Sequence, residues 1–84
     1  MDQELEKLRK EIDLIDKKII ALIEKRVDAA RKIGAVKNGK GLPVSDPERE
    51  KEVLDKVAKS KLDKDFVKNI YKSIIEYCKN EEQR

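Results

Sequence analysis

The sequence predicts an all-α fold: three helices per chain, long, short and medium, completed by a second chain. Three observations lead there. Charged residues make up 46% of the 84 and hydrophobic ones 38%, with two prolines and no tryptophan, a composition that favours helices over a sandwich or barrel. A proline-free stretch over residues 2–37 repeats its apolar residues at helical spacing. Two shorter periodic stretches follow, each opened by a helix-start signal. No repeat or linker divides the chain, so residues 1–84 read as one domain.

In the first helix the apolar positions are Leu5, Leu8, Ile12, Ile15, Ile19 and Leu22, alternating steps of three and four in near-heptad spacing. The same steps reach Arg26, Ala29 or Ala30, Ile33 and Lys37. About 36 residues at 1.5 Å each give roughly 54 Å, whereas a compact monomer of this length is only about 30 Å across. The residues after Lys37 are too few to cover such a helix. Cys78 is the only cysteine, so no internal disulfide supplements the thin core, and dimerisation is the remaining way to enlarge it.

Asn38-Gly39-Lys40-Gly41-Leu42-Pro43 reads as a loop. The second helix then has two overlapping start signals: Asp46 as cap with Pro47 at the first position, or Ser45 as cap with Glu48 closing a capping box. Its apolar face is Val53, Leu54 and Val57, and it ends near Ser60. Leu62-Asp63 reads as staple and cap for the third helix, with Val67 facing Leu62. The apolar line of that helix runs Val67, Ile70, Ile74, Cys78 and then lands on Glu82.

Several function classes are excluded early. The chain has no histidine, which removes the commonest general base and the usual nucleophilic triads. With one thiol besides, no closed zinc site is expected, and no cofactor. A net charge of +3 from 21 basic and 18 acidic residues is too balanced to indicate nucleic-acid binding. No apolar run approaches the roughly 20 residues of a membrane span, and the acidic start has no signal-peptide character. A soluble, cytoplasmic protein is expected, and the lone thiol suits a reducing compartment. Sixteen lysines with few Asn and Gln point weakly toward a thermophile.

Functional information lies where residue type contradicts periodicity. Arg26 and Lys37 occupy the apolar stripe of the first helix, three turns apart and on one side. Arg9 flanks the stripe nearly five turns before Arg26. Asp46, Arg49 and Glu50 extend the inner face of the second helix, and Glu82 that of the third. Taken singly, each has an ordinary explanation: a seam Arg or Lys snorkels to water, Asp46 caps, Glu82 frays with the terminus, and Cys78 is a small buried hydrophobe. Taken together, charges are costly to bury unless paired, and six of them at the ends of apolar stripes predict a polar pocket between helices. With Arg9 counted, four cations against three acids suit an anionic small molecule. The residues do not name it.

The order and spacing of these segments resemble the all-helical chorismate mutases. The resemblance covers nearly the whole chain: Leu8-Arg9-Lys10-Glu11-Ile12-Asp13, Ile15-Asp16, Leu22-Ile23-Glu24-Lys25-Arg26 through to Lys37, and then Pro43-Val44-Ser45-Asp46-Pro47-Glu48-Arg49-Glu50. It implies an intertwined homodimer that converts chorismate to prephenate on the way to phenylalanine and tyrosine. That reaction is an intramolecular [3,3] (Claisen) rearrangement needing no metal, covalent intermediate or proton transfer, so a pocket without His or a nucleophile suits it. The enzyme has to hold a flexible dicarboxylate in its compact chair and stabilise charge separating across the breaking carbon–oxygen bond.

By the same resemblance Arg26 and Arg9 clamp the two carboxylates, Arg9 reaching in from the partner chain. Lys37 donates to a carboxylate and to the ether oxygen, Glu50 accepts from the ring hydroxyl with Arg49 orienting it, and Asp46 shapes the entrance. Glu82 takes the position of the second donor to the ether oxygen, with Gln83 as its substitute if the terminus frays. Two positions depart from the family pattern. Many relatives carry Gln at Glu82, and a carboxyl group donates only when protonated. At Cys78 many have a small polar residue, for which a thiol is the weaker donor. Two other functions compete: an isochorismate–pyruvate lyase of the same fold, and a non-catalytic helical interaction module.

Overall fold

The structure, a computed structural model, describes residues 2–84. It consists of α1 (Gln3–Lys40), α2 (Pro47–Val57) and α3 (Lys64–Glu82), with no strand among the described residues. The Asp2 carboxylate caps α1, accepting from the backbone N–H groups of Glu4 at 3.0 Å and Leu5 at 3.2 Å. Glu4 and Glu6 in the first turn and Lys37 and Lys40 in the last complement the helix dipole.

The end of α1 corrects the sequence reading. The helix does not give way to a loop at Asn38 but runs through Asn38 and Gly39 to Lys40. It ends at Gly41, whose φ of 67° is the left-handed conformation that glycine adopts without strain. Leu42 N–H donates to Lys37 O at 2.8 Å and Gly41 N–H to Asn38 O at 3.2 Å, the paired bonds of a Schellman stop. Of the two glycines, the one able to satisfy the last carbonyls ends the helix; the other is carried within it.

Asp46 caps α2 by accepting from Arg49 N–H at 3.2 Å, with Pro47 in the first turn, which decides between the two start signals. The helix ends at Val57, one turn before the expected Ser60, and the chain turns through residues 58–60. Asp63 caps α3 through Phe66 N–H at 2.9 Å. Leu62, expected to staple against Val67, stays exposed while Val67 is buried.

The third helix packs against both others. Against α1 it forms the core: Val27, Ala30 and Cys78, with Ile23 and Ile74 packed around them. Gly34 is buried on the same line of α1. Of the predicted stripe of Arg26, Ala29 or Ala30, Ile33 and Lys37, Ala30 falls on this buried line, while Arg26, Ala29 and Ile33 lie one residue before it, about 100° round the helix. Val53, Leu54 and Val57 of α2 are only half-buried. The chain is correspondingly long and thin, 59 × 24 × 14 Å with a radius of gyration of 16.7 Å, against about 12 Å for a compact domain of this length.

Candidate active site

The C-terminal half of α1, the start of α2 and the end of α3 enclose an open cavity of about 390 Å³. Seven of the eight sequence-predicted site residues line it: Arg26, Lys37, Asp46, Arg49, Glu50, Cys78 and Glu82. Its walls between the charges are aliphatic, from Ala29, Ile33, Val53 and Ile75. Arg26, Ala29, Ala30, Ile33 and Lys37 of the α1 stripe border this cavity, the polar pocket that charges on the stripe predict. Arg26 and Lys37, three turns apart on one side of the helix, mark two ends of the same concavity.

The two cations of α1 are held differently. Arg26 donates from Nη1 to the Cys78 sulfur at 3.0 Å, and its guanidinium carbon sits 5.9 Å from the centroid of the Tyr71 ring, within cation–π range. Cys78 is almost fully buried, so its thiol acts here as an acceptor that fixes the arginine. The remaining guanidinium donors are left for a ligand. Lys37 is tied down more firmly: its Nζ donates to Val44 O at 2.8 Å and to the Glu82 carboxylate at 2.9 Å. Both partners of that ion pair are largely shielded, with side chains 19% and 14% exposed, which makes it stronger than a surface pair. Val44 belongs to the loop and Glu82 to the last turn of α3, so Lys37 is where α1, loop and α3 converge.

One pairing implied by resemblance comes out differently. Arg49 points away from Glu50 to an exposed pair with Glu52 at 3.3 Å. The residue beside Glu50 is Lys79 of α3, at 3.5 Å; it also lines the cavity and was missed in sequence. Asp46 gives its carboxylate to the α2 cap and lines the cavity where that helix begins, as expected of it. The second omission is Glu81. It is the buried charged residue of the described chain and accepts from Arg31 Nε at 3.4 Å, with Arg84 Nε at 3.5 Å. Periodicity counted in fours from Cys78 selects Glu82; counting in threes would have found Glu81.

Arg9 alone lies outside the cavity. It pairs with Glu6 at 3.4 Å on the exposed N-terminal half of α1, and the 17 residues to Arg26 place it roughly 25 Å away along the helix. Four cations (Arg26, Lys37, Arg49, Lys79) and three acids (Asp46, Glu50, Glu82) line the cavity, an arrangement suited to a small anionic molecule. The lining holds no serine, threonine or histidine, and its one thiol, Cys78, is bound to Arg26.

Comparison with known proteins agrees with this geometry. Residues 8–83 match the family profile described as chorismate mutase type II. A chorismate mutase of Methanocaldococcus jannaschii is 37% identical over 83 residues, covering 94% of this chain and 84% of the relative. A bifunctional chorismate mutase/prephenate dehydratase of Aquifex aeolicus is 35% identical over 98% of this chain, which spans only a quarter (25%) of that protein. Among solved structures, the Helicobacter pylori chorismate mutase in complex with prephenate superposes with a TM-score of 0.86 at 28% identity, covering 98% of this chain and 92% of that one.

Proposed function

The chain belongs to the type II chorismate mutase family, and from that premise we propose that its cavity converts chorismate to prephenate. The observation that carries the proposal is the convergence of Arg26, Lys37, Glu50 and Glu82 from three helices on one cavity. The carbon–oxygen bond of the substrate breaks as the new carbon–carbon bond forms within the same molecule. No group has to be transferred to or from the protein. What the protein supplies is restraint of the compact conformer, which converts a rare geometry into the bound one, and fixed charge where charge develops.

Arg26, already oriented by Cys78 and Tyr71, binds one carboxylate. Lys37, anchored by Val44 O and Glu82, presents its ammonium to the ether oxygen, where negative charge grows. Glu50 accepts from the ring hydroxyl. Glu82, at the position of the second group beside the ether oxygen, holds the Lys37 ammonium there through their 2.9 Å pair. The second carboxylate clamp is Arg9 of another copy: a homodimer in which the exposed stripe of α1 packs on its counterpart brings that residue to the open side of the cavity. Leu5, Leu8, Ile12, Ile15 and Ile19 are each 43–55% exposed in the single chain. Burying a large aliphatic side chain contributes about 1.5–3 kcal/mol, so an uncovered stripe of this length is a strong drive to associate.

The reading is tested by incubating the purified protein with chorismate and following loss of its ultraviolet absorbance. Prephenate as the sole product supports it. Turnover of isochorismate with release of pyruvate, and none of chorismate, would assign the cavity to lyase chemistry instead.

A further inference from the structure

Gly34 is buried in α1, midway between the core residue Ala30 and the pocket residue Lys37, and no chemistry of the cavity uses it. Its place is explained by what lies across from it. A methyl group at this position would stand 2.7 Å from Glu82 Cα and 2.9 Å from its carbonyl carbon, with the carbonyl oxygen closer still. These are backbone atoms of the last turn of α3, not the end of a flexible side chain that could swing aside. Gly39, in the same helix, meets nothing within 4 Å, so the tight contact is particular to residue 34. Glycine is also a poor helix former, and its presence inside a helix calls for a compensating reason.

We propose that Gly34 is a positioning residue for the active site: its missing side chain lets the end of α3 seat directly on α1, which brings the Glu82 carboxylate within 2.9 Å of Lys37 Nζ. Lys37 lies three residues, about one turn, beyond Gly34, so the seat and the ion pair it serves are adjacent. Any larger residue moves the Glu82 backbone outward. The carboxyl group then leaves Lys37, which loses one of its two anchors, and both groups lose their aim on the cavity. Misplacement of a catalytic group by about 1 Å lowers turnover by as much as 10²-fold. The catalytic consequence rests on the function proposed above; the seating itself does not.

The test is Gly34→Ala, read in two ways. The first needs no substrate. Thermal unfolding of Lys37→Met, Glu82→Gln and the double variant measures the coupling of the pair, once in chains that keep Gly34 and once in the Gly34→Ala background. Coupling is expected where Gly34 is kept and is lost in the Gly34→Ala background; equal coupling in both overturns the proposal whatever the protein's activity. The second reading is kinetic. Gly34→Ala is expected to lower kcat about 10–100-fold with a smaller change in KM, and to lower it no further in a Glu82→Ala background. Full additivity of the two losses would show that Gly34 acts on something other than Glu82 and would overturn the proposal. So would a Gly34→Ala chain that cannot fold, since the glycine would then be required for assembly itself. If the unsubstituted protein leaves chorismate untouched, the functional reading fails while the coupling measurement still decides the role of Gly34.

Discussion

The two halves of α1 obey one hydrophobic pattern and meet opposite fates. Over the N-terminal half, Leu5 to Leu22, the large aliphatic residues remain 43–64% exposed. Over the C-terminal half, Val27, Ala30 and Gly34 are buried under α3, and Arg26 and Lys37 face a cavity. The difference is one of side-chain size and partner. Small residues let α3 approach closely enough to cover this half of the helix from within the chain, whereas the bulky stripe of the other half is left for a surface of matching bulk. One half builds the cavity; the other stays exposed in the single chain.

The largest expected effect breaks the N-terminal half. Ile15→Glu sits on a face that the single chain leaves open, so within one chain it should be nearly neutral. In a homodimer it buries an unpaired charge, which costs several kcal/mol, and sedimentation should show monomer with activity lost. A dimer that survives the substitution would place the interface elsewhere.

Next is Lys37→Ala, which strikes the C-terminal half and leaves the stripe intact. Loss of one donor aimed at developing charge lowers kcat on the order of 10²–10³-fold. The association state should not change. Arg26→Ala should instead raise KM and lower kcat together, because a carboxylate clamp serves ground and transition states alike. Steady-state kinetics separates the two.

Mixing inactive Arg9→Ala chains with inactive Lys37→Ala chains joins the two halves across copies. Each mixed dimer holds one intact site of two, so free exchange should recover about a quarter of the unsubstituted activity. No recovery after proven exchange would show that Arg9 and Lys37 do not share a site.

The smallest effect is at Glu82, whose carboxylate pairs with Lys37 at 2.9 Å. A paired carboxylate accepts, whereas an amide of nearly the same shape can both accept and donate. Glu82→Gln should therefore keep most of its kcat and Glu82→Ala should lower it, as steady-state kinetics would show. An unchanged kcat in Glu82→Ala would remove Glu82 from the reaction.

Much of this molecule was legible in its residues. Asp46-Pro47 and Asp63 announced two helices because capping is decided within four residues of chain, and the structure starts α2 and α3 there. Charges on apolar stripes marked Arg26, Lys37, Glu50 and Glu82 because periodicity reports the direction a side chain takes from its own helix axis. It does not report what stands opposite. Which glycine ends α1, the pairing of Lys79 rather than Arg49 with Glu50, the burial of Glu81 and the seat at Gly34 all depend on residues roughly 30–50 positions apart or on a competition between neighbouring stops. Sequence determined the three helices and the cluster of charges; tertiary structure decided which residues meet, because contact distance is set by the approach of one helix to another and not by the period of either.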